Sequence, residues 1–279
     1  MRRIEQFHHP RSLDEAVRLL DSANGSAAVI AGGTTIVANL PPHVKAVVDV
    51  TRLGLDRIEP ATEALRIGAC ATLRHISESE PLRTHLDGIL HSAVMQSSSR
   101  LLRNASTVGG CIAKADPACD IVAALLAADA TVHLQSSKGT EHVALDALLA
   151  QPAQHLAPSA IITAIELPRM PANTRARFEK LNRSAHDAPI VTAVARLCIR
   201  EGRLEGVRAV LGGLTHRPFR ASRVEKALEG GPADVGAIER ACADAAEGIN
   251  VAADVRATAE YRAHMAVVLL RRALVGTLA

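Results

Sequence analysis

Two glycine pairs sit where a main chain could hold an anion. Ala31-Gly32-Gly33-Thr34-Thr35 closes the apolar run Ala27-Ala28-Val29-Ile30, and Thr107-Val108-Gly109-Gly110 precedes Asp116-Pro117-Ala118-Cys119-Asp120. Glycine has no Cβ to keep an anion from the backbone N–H groups, and the neighbouring threonine hydroxyls can donate to phosphate oxygens. Two such loops in one chain suggest a diphosphate cofactor. Taken alone, Gly32-Gly33 is better explained as an ordinary turn after a strand, but the pair does not stand alone. Neither pair fits a better-known nucleotide motif. There is no G-x-x-x-x-G-K with a following Ser or Thr, which argues against phosphoryl transfer, and no G-x-G-x-x-G opening a helix, which disfavours a Rossmann domain. No Ser-His-Asp set or carboxylate pair suggests itself, so no catalytic residue is assigned.

Composition narrows the field further. The chain has 279 residues, 48% hydrophobic and 22% charged, enough for two or three subdomains with apolar cores. Trp is absent and Tyr261 is the only tyrosine, which argues against stacking platforms for single-stranded nucleic acid. A net charge of +3, with arginines dispersed along the chain, argues the same way. Cys70, Cys111, Cys119, Cys198 and Cys242 are too widely spaced for a metal clamp or an iron–sulfur motif, and no HExxH occurs among the 12 histidines. No metal site is expected. Twin arginines follow Met1 without the apolar stretch of an export signal, and no run approaches the roughly 20 residues of a membrane span. The expectation is a cytoplasmic protein.

The elements that must position the glycine segments are partly legible. Ser12 and Glu15 have capping-box spacing before a helix running to Leu20. Ala27–Ile30 and Ala46–Val50 read as strands, giving a small β-α-β unit. A strand at Leu65–Gly68 is followed by Thr72 as a helix cap and by helical spacing from Leu82 to Met95, broken at Ser97-Ser98-Ser99. Ile121–Leu126 reads as a helix, and Ala130–Leu134 and Ile161–Leu167 as strands. Residues 169–175 form a proline-containing linker. Beyond it, Arg200-Glu201-Gly202-Arg203 joins two strands in a hairpin, and three helices are expected near Ser222–Leu228, Ala237–Ala246 and Glu260–Leu274.

The segment from Arg103 to Asp120 resembles the FAD-binding medium subunits of the molybdenum hydroxylases, the group of xanthine dehydrogenase and carbon monoxide dehydrogenase. Their pattern runs close to T-V-G-G-N followed by a Ser/Asp-Pro-x-Ala/Ser-Asp element. Ala31–Thr35 and the opening Phe7-His8-His9-Pro10-Arg11-Ser12-Leu13-Asp14-Glu15-Ala16 match that family in order. So do Ile165-Glu166-Leu167-Pro168, Phe178-Glu179-Lys180-Leu181, Glu260-Tyr261-Arg262-Ala263-His264 and Arg271-Arg272-Ala273-Leu274.

The resemblance implies an α+β protein. Its FAD-binding fold would be of the vanillyl-alcohol-oxidase/PCMH type, in two subdomains at 1–55 and 56–170, followed by a sheet-plus-helices domain at 175–279. It implies FAD as cofactor. Ile30, Ala31, Gly32, Gly33, Thr34 and Thr35 would wrap the diphosphate, with Thr107, Gly109 and Gly110 approaching from the other side. Asp120 would accept from cofactor hydroxyls, although it also reads as a helix cap. Ile162 would lie near the adenine or flavin rings, although as a strand residue it also reads as core. Lys180 would stand by the flavin N1 and O2 edge, although on residue type alone it reads as a solvated strand lysine.

Two positions depart from the pattern. Cys111 stands where relatives usually have asparagine, which removes a polar contact near the flavin. Ala188, in His186-Asp187-Ala188-Pro189, stands where many relatives cover one flavin face with tyrosine, which opens that face either to an acceptor or to weaker flavin binding. In the family picture the partners are a molybdopterin-binding large subunit and a small subunit with 2Fe-2S clusters. This chain would pass their electrons through FAD to an acceptor such as NAD, a quinone, a protein carrier or oxygen. The alternatives are a free-standing FAD-dependent oxidoreductase with its own organic substrate, or a flavin-free assembly subunit.

Overall fold

A computed structural model of the chain describes residues 4–61, 63–114 and 119–278. The chain forms two compact units, the first built from Met1–His75, Arg100–Lys114 and Ala130–Pro168, the second from Ile76–Ser99, Ala115–Asp129 and Arg169–Ala279.

The first unit opens with strands β1 (Gln6–His8), β2 (Ala27–Ile30) and β3 (Ala46–Asp49), parallel and in the order β1-β3-β2. Parallel neighbours need a crossover, and the helix Leu13–Ser22 supplies the first one. Its cap is the expected Ser12, whose Oγ accepts from Glu15 N–H at 3.2 Å. The return contact differs from a strict capping box: the Glu15 carboxylate accepts from Arg11 N–H at 2.7 Å. Ala16, Val17 and Leu20 recur at helical spacing and bury against Ala46, Val48 and Val50.

The same unit holds an antiparallel sheet of β4 (Ile58–Pro60), β5 (Ala64–Gly68), β6 (Thr131–Ser136), β7 (Gly139–Ala144) and β8 (Ile161–Pro168), in the order β4-β5-β8-β6-β7. Leu65, Ile67, Val132, Leu134, Ile165 and Leu167 are buried along it, every second residue within each strand. Thr72 caps as expected, accepting from His75 N–H at 3.1 Å.

The second unit carries β9 (Thr174–Leu181), β10 (Val191–Arg200), β11 (Arg203–Gly212) and β12 (Phe219–Arg220), antiparallel in the order β12-β11-β10-β9. The expected hairpin turn is present. Glu201 and Gly202 both take positive φ, 50° and 73°, which suits the twist of the flanking strands. Val191, Ala193, Ala195 and Leu197 point to one face and join a core with the helices Ser222–Leu228, Val235–Cys242 and Ala259–Val275.

The alternate residues Thr192 and Arg196 point to the other face, where the helix Asp120–Ala127 lies. Every residue of that helix is buried, as its apolar run from Ile121 to Ala127 requires. It is fixed at both ends. Asp120 is held by Lys180 and Thr192. Just past the other end, the Asp129 carboxylate meets Arg196 at 2.8 Å and Arg208 at 2.6 Å.

Two sequence expectations change. The helix expected over Leu82–Met95 is broken into Glu80–Thr84 and Ile89–Ser97, because Leu86, Asp87 and Gly88 take left-handed φ. Asp87 uses that turn to accept from Ala176 N–H of β9 at 2.9 Å. The second glycine segment is not a loop: Gly109 and Gly110 lie in the first turn of a helix, Val108–Lys114. In sequence terms the segments 76–99 and 119–129 precede the linker near residue 170, and by packing they group with the unit that holds the C-terminal sheet.

Asp129→Ala removes the carboxylate shared by two guanidinium groups, one of them on the buried Arg196, and places alanine at φ 51°. A loss of about 3 kcal/mol is expected, and Asp129→Asn should lose about half as much. Denaturant midpoints of the two variants measure this, and midpoints equal to the wild type in both would remove the ion pairs from the account.

Candidate cofactor site

The first glycine segment leaves the carboxyl end of a parallel sheet, where ligands of such sheets bind. Gly33 takes φ +68°, which turns the chain sharply after Ile30. Gly32 is packed so closely that a Cβ would stand 1.8 Å from the carbonyl oxygen of Ala105. Beside this contact, Thr34 Oγ1 and Ser106 Oγ are 3.1 Å apart. The residues directly before the second glycine pair are thus seated on the first loop.

The hydrogen bonding of this loop is one-sided. The carbonyls of Gly33 and Thr35 accept from Val37 and Asn39 N–H at 3.2 and 3.1 Å. Among the described residues, no backbone N–H from Ala31 through Ile36 has a protein acceptor. Apart from the exposed Thr34, these residues are half-buried. Main-chain donors away from bulk water normally find partners, and a run of unclaimed N–H groups is a candidate anion cradle.

The second glycine segment behaves differently. Val108 N–H donates to Ala71 O at 3.0 Å, Gly109 N–H to Ala69 O at 2.8 Å, and Cys111 N–H to Thr107 O at 3.0 Å. Gly110 N–H donates to Thr107 Oγ1 at 3.2 Å, so the threonine acts as a helix cap. A Cβ on Gly109 would stand 2.8 Å from Ala69 Cβ. This glycine is needed for close packing, and its N–H is already committed. Gly110 is exposed and Cys111 half-buried on the same helix. Ala115–Ala118, with the Asp116-Pro117 pair, lie outside the described residues.

Asp120 and Lys180 are joined to each other within the second unit. Lys180 Nζ donates to Asp120 Oδ2 at 2.8 Å and to Gln96 O at 2.7 Å, while Thr192 Oγ1 donates to Asp120 Oδ1 at 2.6 Å. Lys180 and Thr192 are opposite one another in the β9–β10 register, so they share a face. Both charged side chains are fully enclosed, so the lysine is not the solvated one its residue type suggests. Burial raises the Asp120 carboxyl above its ordinary 3.8, against the opposing pull of Lys180 and Thr192. Asp120 opens the helix, and its cap position belongs to Cys119. Ile162, on β8 opposite Leu134, is buried at 9% exposure.

The thiols read as structural where they are buried. Burial pushes Cys70 up to about 11 and Cys242 up to about 12. Among the described residues no cluster of His, Cys, Asp or Glu could hold a metal, and no helix is long and apolar enough to cross a membrane.

Comparison with known proteins now settles the family. Residues 2–170 match the FAD binding domain in molybdopterin dehydrogenase, and residues 176–277 match the CO dehydrogenase flavoprotein C-terminal domain. The chain belongs to the FAD-binding medium subunits of the molybdenum hydroxylases. It is 29% identical over 275 residues to the carbon monoxide dehydrogenase medium chain of Afipia carboxidovorans, covering 96% of this chain and 94% of that one. It is 27% identical over 267 residues to the glyceraldehyde dehydrogenase medium chain of Sulfolobus acidocaldarius, covering 94% of each. The solved carbon monoxide dehydrogenase of Hydrogenophaga pseudoflava superposes with a TM-score of 0.89 at 27% identity, over 96% of this chain and 95% of that one.

This flavoprotein subunit therefore has FAD as its cofactor and the α+β fold that the resemblance implies. Its named relatives are medium chains of multi-subunit enzymes. The residues that sequence reasoning missed are Ala105 and Ser106, which shape the first loop from outside it. Their signal was present in the matched segment Arg103–Ala113, but small residues carry no chemistry of their own to draw attention.

Lys180→Met leaves an enclosed carboxylate without its cation, and a loss of about 3–5 kcal/mol is expected. In that variant Asp120 takes up a proton on folding. A carboxyl whose folded pKa is raised binds more protons in the native than in the unfolded state, so its contribution improves as pH falls toward the ordinary 3.8. Denaturant midpoints at about pH 7 and about pH 5 should show the deficit shrinking at the lower pH. An equal deficit at both would show that Asp120 stays charged without Lys180.

Proposed function

We propose that the loop Ala31–Ile36 holds the diphosphate of FAD, and that the subunit carries electrons from the iron–sulfur clusters of a partner to a terminal acceptor. The observation behind this reading is the run of unclaimed N–H groups, held in place by the Gly32–Ala105 contact. Several backbone dipoles share the anionic charge, which explains how the site manages without a lysine in the loop. The hydroxyls of Thr34 and Thr35 add donors, and Ser106 orients the first of them. Gly110 and Cys111 present a face without large side chains, and Thr107 and Gly109 fix that helix against Thr72 and Ala69.

FAD when bound can take electrons one at a time and release them as a pair, which suits an exchange between clusters and a two-electron acceptor. This chain's own work is then to bind, orient and shield, and no acid or base is required of it. The partners in this reading are a large molybdopterin-binding subunit and a small 2Fe-2S subunit. The acceptor class is NAD, a quinone, a protein carrier or oxygen.

Gly32→Ala tests the site directly. The added methyl forces Ala105 or the loop to move, and the N–H groups lose their shared aim. FAD affinity should fall by at least about 100-fold, the effect of losing two charge-assisted hydrogen bonds. Flavin absorbance of the purified variant checks this. Full flavin content with a normal unfolding midpoint would place the diphosphate elsewhere. The relay is tested by reconstitution with the two partner subunits. Without FAD the clusters should still be reduced by substrate while the acceptor is not, whereas turnover of an organic donor by this chain alone would overturn the relay.

A further inference from the structure

One carboxylate at the mouth of the loop is not explained by the diphosphate. β2 and β3 are adjacent and parallel, with Ile30 opposite Asp49 in register. The loop departs from Ile30, and Asp49 is the last residue of the neighbouring strand, one strand spacing of about 4.8 Å away. Its Oδ1 accepts from Thr51 N–H at 2.9 Å and from Thr51 Oγ1 at 2.7 Å. Its Oδ2 has only the imidazole of His9, with Nδ1 at 3.4 Å. Among the described residues no other donor reaches it. The side chain is 15% exposed, and His9 reaches it from the end of β1, so the ends of all three parallel strands meet here.

A carboxylate beside a phosphate cradle is unfavourable unless something intervenes. Three features reduce the cost: the two Thr51 donors fix one oxygen, the His9 imidazole stands 3.4 Å from the other, and that second oxygen keeps lone pairs without a donor among the described residues. What such an oxygen binds well is a neutral donor that arrives attached to the diphosphate. The hydroxyls of a nucleotide ribose are donors of that kind. In dinucleotide-binding βαβ units, a different fold, an acidic residue at the end of the strand beside the glycine loop accepts from ribose hydroxyls. Here the same placement recurs with a different connection, a series of turns in place of a helix.

We propose that Asp49 is the ribose-binding residue of this subunit, with Oδ2 accepting from the 2′- and 3′-hydroxyls of the adenosine half of FAD. Thr51 is its positioning residue, and the His9 imidazole is the neighbour of Oδ2. This rests on the reading of Ala31–Ile36 as the diphosphate site.

The protein freed of flavin is titrated calorimetrically with ADP and with 2′,3′-dideoxy-ADP. The wild type should favour ADP by about 10- to 100-fold, as a charge-assisted hydrogen bond does. In Asp49→Asn the Oδ1 contacts to Thr51 are kept and an amide replaces Oδ2. The preference should fall to within about threefold, with dideoxy-ADP binding as well as before or better, since a negative charge has left. A wild-type ratio near unity overturns the proposal without any variant. An unchanged ratio in Asp49→Asn overturns it as well, as does weakened binding of FMN with the ADP ratio intact, which would move the contact to the ribityl chain. If the wild type binds neither ADP nor FAD, the cradle reading itself has failed, which is a different result from ADP binding without discrimination.

Discussion

The first glycine loop depends on a contact that only glycine permits. With no Cβ at position 32, the carbonyl of Ala105 closes on the Gly32 backbone, and Ser106 falls within reach of Thr34. The close approach sets the direction of the loop, and the following turn uses the carbonyls of Gly33 and Thr35. Donors are left over on one side only. In the proposed reading the loop needs no cationic side chain, because its field would come from oriented peptide dipoles that cannot rotate away. Its strength therefore depends on the rigidity of the loop, and the contact at Gly32 supplies that rigidity.

The two glycine pairs look alike in sequence and do different things. Gly32 and Gly33 clear space and turn the chain, leaving N–H groups unclaimed. Gly109 clears space for Ala69, and the donors around it are taken by Ala69, Ala71 and Thr107. The difference lies in what the neighbouring backbone offers as acceptors, and that depends on residues distant in sequence. Composition and spacing cannot register it. The same holds for Lys180 and Asp120. A lysine on a strand reads as solvated until a helix is laid over it, and here the helix Asp120–Ala127 encloses both charges.

Much of the rest was legible, for physical reasons that can be named. The hairpin at Glu201-Gly202 could be read because glycine beside a residue able to take positive φ marks a tight turn. The cap at Ser12 could be read because the local hydrogen bond decides where the helix starts. These are short-range effects, settled within a few residues. The break at Leu86–Gly88 could not be read, because the apolar spacing of 82–95 is helical throughout. What interrupts it is Asp87 reaching Ala176 N–H, a contact made far along the chain. β1 and β4, each three residues long, were too short to carry a periodic signal.

The boundary between the two matched family segments, near residue 170, is not a boundary of packing. The helices within 76–99 and the helix Asp120–Ala127 lie before it in sequence and pack in the second unit. Cutting the chain there would strip one face of the β9–β12 sheet of its covering helix. Lys180 would lose its carboxylate, and Arg196 and Arg208 would lose Asp129. Buried charges without partners cost several kcal/mol each, and exposing the apolar helix adds to that. The C-terminal sheet is therefore not self-sufficient as a domain. Its inner charged residues are meaningful only with partners contributed by the flavin-binding part of the sequence, so the two family segments must fold as one chain.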